Sequence, residues 1–387
     1  MEEALVRTGA ALKQRSRQAR AGMDWPLVGA ALFIVAAGLV TMNSFVGDNQ
    51  FFWHQLVWVA VSLCVFFIVS SIDFHFLRRT GVIVALYGAV AALLIGVSLV
   101  GTVVKGAQSW FHFGFIAFEP SDPAKLVLVL LLAKYFSRRH VEIAHIRHIL
   151  ISGFYTFLFF AAVFIQPDFG AAIIFFLIWL GMVLVSGISR KHLALVFILG
   201  SLVFSGLWIG ALHPYQKQRI MTFLNPLTDI HGAGYNAFQS TIAVGSGELL
   251  GKGVGYGTQS RLRFLPEYQT DFIFAAFAEE WGFVGVVFLF LVFGFAIFRI
   301  VRIAMRGETN FEMLYGVGFA VMLVSHFALH VGINIGLLPV TGTTIPFMSY
   351  GGSHLLTEFA GLGILMSMHR HGRAVHRSDM RNEFLGT

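Results

Sequence analysis

The stretch WGFVGVVFLFLVFGFAIF, residues 281–298, carries no charged side chain and could cross a membrane as one helix. A transmembrane helix needs about 20 apolar residues because the hydrocarbon core is about 30 Å thick. Similar apolar runs occur elsewhere, at 25–45, 51–71, 82–100, 124–136, 149–165, 169–186, 192–212, 314–338 and 353–368. The run at 124–136 is short for a full crossing and would need protein around its ends. The sequence therefore predicts an all-α polytopic membrane protein with about ten transmembrane helices.

Composition agrees with this class. Hydrophobic residues make up 57% of the 387 residues and charged residues only 12%, which excludes a soluble globular domain. Because Cys64 is the single cysteine, the chain cannot form an intramolecular disulfide. A net charge of +7 would suggest nucleic-acid binding in a soluble protein, but in a membrane protein basic residues concentrate in cytoplasmic loops. We therefore expect contacts with membrane lipids and none with nucleic acid.

The basic residues predict the orientation of the chain. They concentrate before Trp25, in alternate connections between the apolar runs, and after Met368. The positive-inside rule then places both termini in the cytoplasm. This divides the chain into a basic cytoplasmic segment (1–24), a transmembrane domain (25–368) and a cytoplasmic tail (369–387). The long polar segment 213–280, between helices 7 and 8, falls on the extracytoplasmic side.

This outer segment is where a function is expected, because it is far longer than a connection between two helices requires. Its residues 215–224 mix basic and large apolar side chains, which is typical of a helix lying at the headgroup level. The glycines between 245 and 257 are not followed by the Lys-Ser or Lys-Thr of a phosphate loop. A nucleoside triphosphate site is therefore not supported.

Several motifs then carry a family resemblance over nearly the whole membrane region. They are QPDFG (166–170), FLNP (223–226), GAGYNAFQS (232–240), IAVGSGELLGKG (242–253), FLPEYQTDFIFAAFAEEWG (264–282) and PFMSYGGS (346–353). With these motifs the chain resembles the shape, elongation, division and sporulation (SEDS) family. GTQSRLRFLPE at 257–267 resembles the elongation branch of that family more than its division branch.

The resemblance implies a peptidoglycan glycosyltransferase that joins lipid II, a disaccharide-pentapeptide on undecaprenyl pyrophosphate, into glycan strands with inversion at the anomeric carbon. It places the enzyme in the bacterial cytoplasmic (inner) membrane, with its active site on the periplasmic side. It also implies a class B penicillin-binding protein as the crosslinking partner, together with other membrane proteins of the elongation complex. The chemistry needs a base for the acceptor hydroxyl and positive charge for the departing diphosphate.

By resemblance, Asp271 is the catalytic carboxylate. From the residues alone, Thr270 would cap a helix opening at Asp271, and the following apolar residues place this carboxylate at the membrane boundary. The alternative is that Asp271 only stabilises the start of that helix. Glu279 and Glu280 lie further along the same helix, and we expect them to line a cavity or to form ion pairs.

The motif EPSDPAK, residues 119–125, gives a second candidate site. Ser121 is the expected N-cap of the fourth helix, Pro123 fits its first turn, and Asp122 and Lys125 share one face. Lys125 could hold a pyrophosphate or could form an ordinary ion pair with Asp122, and the family favours the first. The remaining candidate substrate-binding residues are Lys217, Arg219, Lys252, Arg261, Arg263, Glu267 and Ser349.

The chain departs from the family pattern at five positions. The family usually has Arg, Gln, Glu, Asn and Pro where this chain has Ser109, Glu119, Asp122, His330 and Thr344. The missing cation at residue 109 suggests that Arg261 or Arg263 replaces it.

No cofactor and no resident metal site is predicted, but a divalent cation bridging the pyrophosphate stays open, with Asp271 or Glu248 as candidate ligands. Three other functions also remain as alternatives. They are a lipid II flippase, a division-type polymerase and a non-catalytic scaffold of the cell-wall machinery.

Overall fold

The computed structural model describes residues 23–44, 50–104, 107–113, 116–138, 146–210, 214–224, 234–262 and 264–385. Most of the predicted N-terminal segment lies outside these residues. The helices, in chain order, are α1 (Trp25–Asn43), α2 (Gln50–Ser71), α3 (Thr80–Val100), α4 (Ser121–Ser137), α5 (Ile146–Ile165), α6 (Phe169–Val185), α7 (Arg190–Gly210), α8 (Pro214–Leu224), α9 (Tyr235–Ser246), α10 (Thr258–Arg261), α11 (Ile273–Ala304), α12 (Asn310–Asn334) and α13 (Gly352–Leu385). A 3₁₀ helix, Phe74–Arg78, joins α2 to α3.

Each apolar run predicted to span the membrane overlaps one of these helices. Among the described residues, seven helices are long and apolar enough to cross a bilayer, namely α1, α2, α3, α5, α7, α11 and α12. The other three runs correspond to α4, α6 and α13. The prediction of an all-α polytopic membrane fold is confirmed.

Helix α4 forms the centre of the bundle. Leu128, Val129 and Leu132 are fully buried, and the helix packs against α3, α6 and α12. This agrees with the expectation that so short a run needs protein around it. Helix α7 is the opposite case, since Leu202 and Ile209 are 64% and 82% exposed. Lipid is the natural solvent for such a surface.

Three short strands between α3 and α4 were not predicted from the sequence. They are β1 (Thr102–Val104), β2 (Ala107–Phe113) and β3 (Ile116–Phe118), and they form an antiparallel sheet in the order β1-β2-β3. β1 and β3 have only three residues each, and β2 places Trp110 and Phe111 side by side, so none of the three gives a clear alternation of apolar and polar residues. The sheet leads the chain to Glu119 and Pro120, directly before α4.

Helix α11 starts eight residues before the predicted span and is interrupted at Gly282, where φ is 64° and ψ is −169°. The segment 248–253 fills the interruption. Its residues Lys252 and Gly253 donate backbone hydrogen bonds of 3.0 Å to the carbonyls of Glu279 and Glu280. On the other side of Gly282, Phe283 donates a 2.9 Å bond to the carbonyl of Glu248. These bonds fix part of the segment 213–280 to the interrupted helix.

Candidate active site

Asp271 lies half-buried in a turn that precedes α11. The predicted helix start at Asp271 is wrong, because α11 begins at Ile273 and its N-cap is Phe272, with no side-chain capping bond. The reason is a tight turn at Glu267, whose φ is +54° and whose carbonyl accepts from the amides of Thr270 and Phe272. Thr270 does not cap the helix, since its hydroxyl donates to the Glu267 carboxylate at 3.2 Å.

Two buried side chains hold this turn in place. The Asn334 amide donates a 3.0 Å bond to the carbonyl of Asp271, and its oxygen accepts from the amide of Ala275 at 3.1 Å. The hydroxyl of Ser349 donates to the carbonyl of Thr270 at 2.9 Å. Ser349 was predicted to bind substrate, and the structure gives its hydroxyl a backbone partner beside the candidate base.

The carboxylate of Asp271 lies close to the backbone of Gly342. A Cβ atom at Gly342 would lie 3.6 Å from Asp271 Oδ2. The same stretch packs on α6, because a Cβ atom at Gly170 would meet the carbonyl oxygen of Thr341 at 2.9 Å. The candidate base thus adjoins the segment before PFMSYGGS, and that segment in turn packs on the QPDFG motif.

Asp168 of the QPDFG motif was not singled out from the sequence. Its carboxylate caps α6 by accepting from the amide of Ala171 at 3.0 Å. Burial raises the pKa of Asp168 above its usual value. An acid directly before an apolar run is a helix-start signal, and this signal would have found it.

Lys125 and Asp122 form an ion pair, one of the two alternatives that the sequence left open for Lys125. The distance between Nζ and Oδ1 is 3.0 Å, and both side chains are about 95% buried. Pro123 lies in the first turn of α4 as expected. Ser121 is not the N-cap, because the cap is Pro120 and the Ser121 hydroxyl is bonded to the Glu119 carboxylate.

A second layer of polar residues lies behind this pair, and sequence reasoning missed it. Ser353 donates to Asp122 Oδ2 at 2.7 Å, and His354 Nδ1 lies 3.3 Å from Asp122 Oδ1. The other ring nitrogen of His354 lies 2.9 Å from Glu358 Oε1. The spacing of His354 and Glu358, four residues apart on α13, was the available signal.

Lys252 and Glu279 form a salt bridge of 2.8 Å within the segment 213–280. Glu279 is fully buried and also accepts from the amides of Thr258 and Gln259 at 2.8 and 3.1 Å. The expectation of ion pairing for Glu279 is confirmed. The Lys252 ammonium is partly occupied by this structural role.

The other predicted cations have local contacts. Arg219 and Arg261 are exposed, and Arg261 donates weakly to the carbonyl of Gly255 at 3.5 Å. Lys217 lies 6.0 Å from the ring centre of Trp208, a cation–π contact. Arg263 lies outside the described residues.

Metal ligation has no structural support in the part of the chain that the structure describes. Within these residues, no group of three or more His, Cys, Asp or Glu side chains is arranged to hold a metal ion. A divalent cation bound by Asp271 or Glu248 together with substrate oxygens stays a prediction.

Comparison with known proteins identifies the family. A family model described as "Cell cycle protein", which covers FtsW, RodA and SpoVE, matches residues 23–374. The chain belongs to this family. It is the SEDS family that the motifs indicated, and the match includes every motif quoted above.

Individual SEDS proteins are similar in sequence to this chain over most of its length. Peptidoglycan glycosyltransferase MrdB of Escherichia coli K12 is 39% identical, over 76% of this chain and 79% of that protein. Stage V sporulation protein E of Bacillus subtilis is 32% identical over 90% and 98% of the two chains. A probable peptidoglycan glycosyltransferase FtsW of Thioalkalivibrio is 33% identical over 92% and 91%.

Solved SEDS structures have the same fold. A chain from a peptidoglycan synthase complex that coordinates polymerisation and crosslinking superposes with a TM-score of 0.77, at 32% identity and over 90% of this chain and 98% of that chain. The crystal structure of the rod shape determining protein RodA from Thermus thermophilus gives a TM-score of 0.68, at 30% identity and over 90% and 97% of the two chains.

Proposed function

We propose that this chain is a peptidoglycan glycosyltransferase that polymerises lipid II into glycan strands. The observation that carries the proposal is the clamped turn of Asp271, in which Asn334 and Ser349 hold the backbone on both sides of one half-buried carboxylate. A flippase or a scaffold has no need for a carboxylate fixed in this way. A general base does, because it must meet one hydroxyl in one orientation.

The reaction needs one proton transfer and one displacement. Asp271 accepts the proton of the acceptor sugar hydroxyl, whose oxygen then attacks the anomeric carbon of the donor. The bond between that carbon and the diphosphate oxygen breaks, which inverts the configuration and releases undecaprenyl pyrophosphate. Lys125 stabilises the developing negative charge, with Arg261 as an outer contributor. Lipid II approaches from the outer leaflet of the bacterial cytoplasmic membrane.

The elongation branch is favoured over the division branch. Identity to MrdB is 39%, compared with 31–33% for the FtsW proteins. The structural similarity to a chain from a complex that couples polymerisation with crosslinking supports a crosslinking partner for this chain as well. We propose a class B penicillin-binding protein in that role, within a larger elongation complex.

Replacing Asp271 by Asn tests the function. The substitution keeps the shape of the side chain and removes the base, so we expect polymerisation of labelled lipid II by the purified protein to fall by about 10²- to 10⁴-fold. The matched control is Asp73→Asn, which neutralises an exposed carboxylate outside the site. An Asp271→Asn variant that polymerises like wild type would refute the proposal, and lipid translocation without polymer would favour the flippase.

A further inference from the structure

A buried polar chain connects the Lys125–Asp122 pair with the turn of Asp271. It runs from Lys125 through Asp122 and His354 to Glu358, with contacts of 3.0, 3.3 and 2.9 Å. Glu358 then accepts a 2.8 Å bond from the backbone amide of Phe347 through its second oxygen. Asp122, Lys125, His354 and Glu358 are all more than 90% buried. Such a chain is costly to bury unless its members compensate one another.

The far end of this chain reaches the turn of Asp271. Phe347 has a φ of +62°, which is strained for a residue with a side chain, and the Glu358 carboxylate fixes its amide. Two residues later, Ser349 donates to the carbonyl of Thr270, next to Asp271. Glu358 therefore supports the backbone beside the candidate base while it contacts His354.

The contacts of His354 determine how many protons this buried polar chain holds. A bare ring nitrogen and an ionised carboxylate oxygen repel each other at 2.9–3.3 Å, since both are acceptors. One proton therefore lies between Nδ1 and Asp122, and a second lies on either Nε2 or Glu358. The second contact is close without being aligned as a hydrogen bond, so the proton can be assigned only to the His354–Glu358 couple.

Within the described residues, the other titratable groups around the couple come from α12 and α4. From α12, the His326 ring centre lies 4.8 Å from that of His354, and His330 is the next histidine on the same face. From α4 come Asp122 and Lys125. Helix α2 contributes the uncharged Gln55, which accepts from the amide of Gly351.

Two further carboxyls, Glu119 and Asp168, act on Lys125. Burial raises the pKa of Asp168 above its usual value and that of Glu119 to about 8, so Glu119 also loses its proton as the pH rises from about 6 to about 9. This titration is common to wild type and to every variant below, so the couple is tested by the differences among them in the charge of the cluster of Lys125, Asp122, His354 and Glu358.

We propose that His354 and Glu358 form a proton-holding couple that sets the net charge around Lys125, and with it the affinity for the diphosphate of lipid II. The inference rests on the proposed function. With its extra proton the couple is neutral, so Lys125 and Asp122 leave the cluster uncharged. Without that proton the couple carries one negative charge, and the cluster repels an anionic ligand. His354 and Glu358 are positioning residues, because they act through Lys125.

Two neighbouring substitutions separate this role from a structural one. Glu358→Gln removes the negative charge and keeps an oxygen that can accept from Phe347, so at about pH 9 we expect its KM for lipid II to be roughly tenfold lower than that of wild type. His354→Gln leaves the carboxylate, so its KM at that pH should match wild type, while the midpoint of its pH profile should move. A substitution that only damages the structure would not improve binding.

A matched control is the exposed contact between His75 and Asp73. His75→Gln and Asp73→Asn should keep the wild-type pH profile of KM. Binding of fluorescent lipid II, measured in an Asp271→Asn background at about pH 6 and pH 9, gives a readout without turnover.

The outcomes distinguish the two proposals. Polymerisation whose KM keeps the wild-type pH profile in both Glu358→Gln and His354→Gln overturns the couple and leaves the function intact. If the wild-type protein never polymerises, but lipid II binding in the Asp271→Asn background weakens with rising pH and does so less when Glu358→Gln is added, the function is overturned and the couple is supported. A wild-type KM that is constant with pH, or the absence of lipid II binding, overturns the couple. If Glu358→Gln does not fold, His354→Gln tests the couple by itself. A midpoint of its pH profile of KM that shifts from wild type supports the couple, and an unchanged midpoint overturns it.

Discussion

The position of Asp271 depends directly on Asn334, a fully buried side chain that bonds the backbone at Asp271, Ala275 and His330. In Asn334→Ala these backbone groups lose their partner, which should lower the free energy of unfolding by about 1–3 kcal/mol. Polymerisation should fall by about tenfold or more in protein that is still folded, because a small displacement of a base costs more in rate than in stability. Thermal unfolding in detergent and lipid II polymerisation measure the two effects.

Asn43→Ala is the control, since Asn43 is exposed at the end of α1 and its loss should change neither quantity. If Asn334→Ala lowers activity only in proportion to the folded fraction, Asn334 is a stabilising residue with no role in positioning the base.

At the residue scale, the sequence predicts contacts between residues that are close in the chain. The i, i+3 spacing correctly placed Asp122 and Lys125 on one helical face, but it left open whether Lys125 pairs with Asp122 or holds a pyrophosphate. His354 contacts Asp122 from 232 positions away, and no local pattern records such a contact. The prediction of a helix start at Asp271 was wrong for a related reason. The turn at Glu267 depends on backbone hydrogen bonds that form only in the folded protein.

At the scale of elements, the apolar runs predicted the membrane helices correctly, because burial in lipid requires long uncharged segments. The same runs could not give the interruption of α11. Gly282 lies inside an apolar stretch and looks like any helical glycine, yet its φ of +64° breaks the helix so that the segment 248–253 can bond to it. The partner segment, rather than the helix sequence, determines this break.

Gly282→Ala tests that interruption. The backbone conformation at residue 282 is strained for any residue with a Cβ, and that Cβ would lie 2.2 Å from the amide nitrogen of Gly251. We expect the segment 248–253 to detach, with a loss of about 2–4 kcal/mol in the free energy of unfolding and faster cleavage of the purified protein by added protease.

Gly294→Ala in the same helix is the matched control. A Cβ at residue 294 would meet nothing within 4 Å, so this substitution should be neutral or slightly stabilising. Equal protease resistance in both variants would show that α11 tolerates a regular helix at residue 282.

At the scale of the whole molecule, the sequence predicts that the surface is apolar but not what covers it. Large exposed side chains such as Phe197, Leu202 and Ile209 on α7 suit either lipid or a partner helix. The two environments are equally apolar, so the residues that face them are alike.

The stability of the whole bundle should depend on the ionisation of Glu119. Burial raises the pKa of Glu119 above its ordinary value of 4.5, and the neighbouring Asp122 raises it further. In the unfolded chain this carboxyl ionises near its ordinary pKa, whereas the folded protein keeps the proton to higher pH. Since the folded state binds more protons over that interval, raising the pH from about 5 to 8 removes stability.

Glu119→Gln fixes the neutral form and should remove that loss. The variant should gain on wild type as the pH rises, by about 1–3 kcal/mol at about pH 8 and by little at about pH 5. Thermal unfolding of the purified proteins at the two pH values measures the difference, and Glu308→Gln, at an exposed carboxyl, is the control. A gap between Glu119→Gln and wild type that stays constant with pH would mean that Glu119 is already ionised in the folded protein. The neutral side chain would then not explain how this chain accepts Glu where its family usually has Gln.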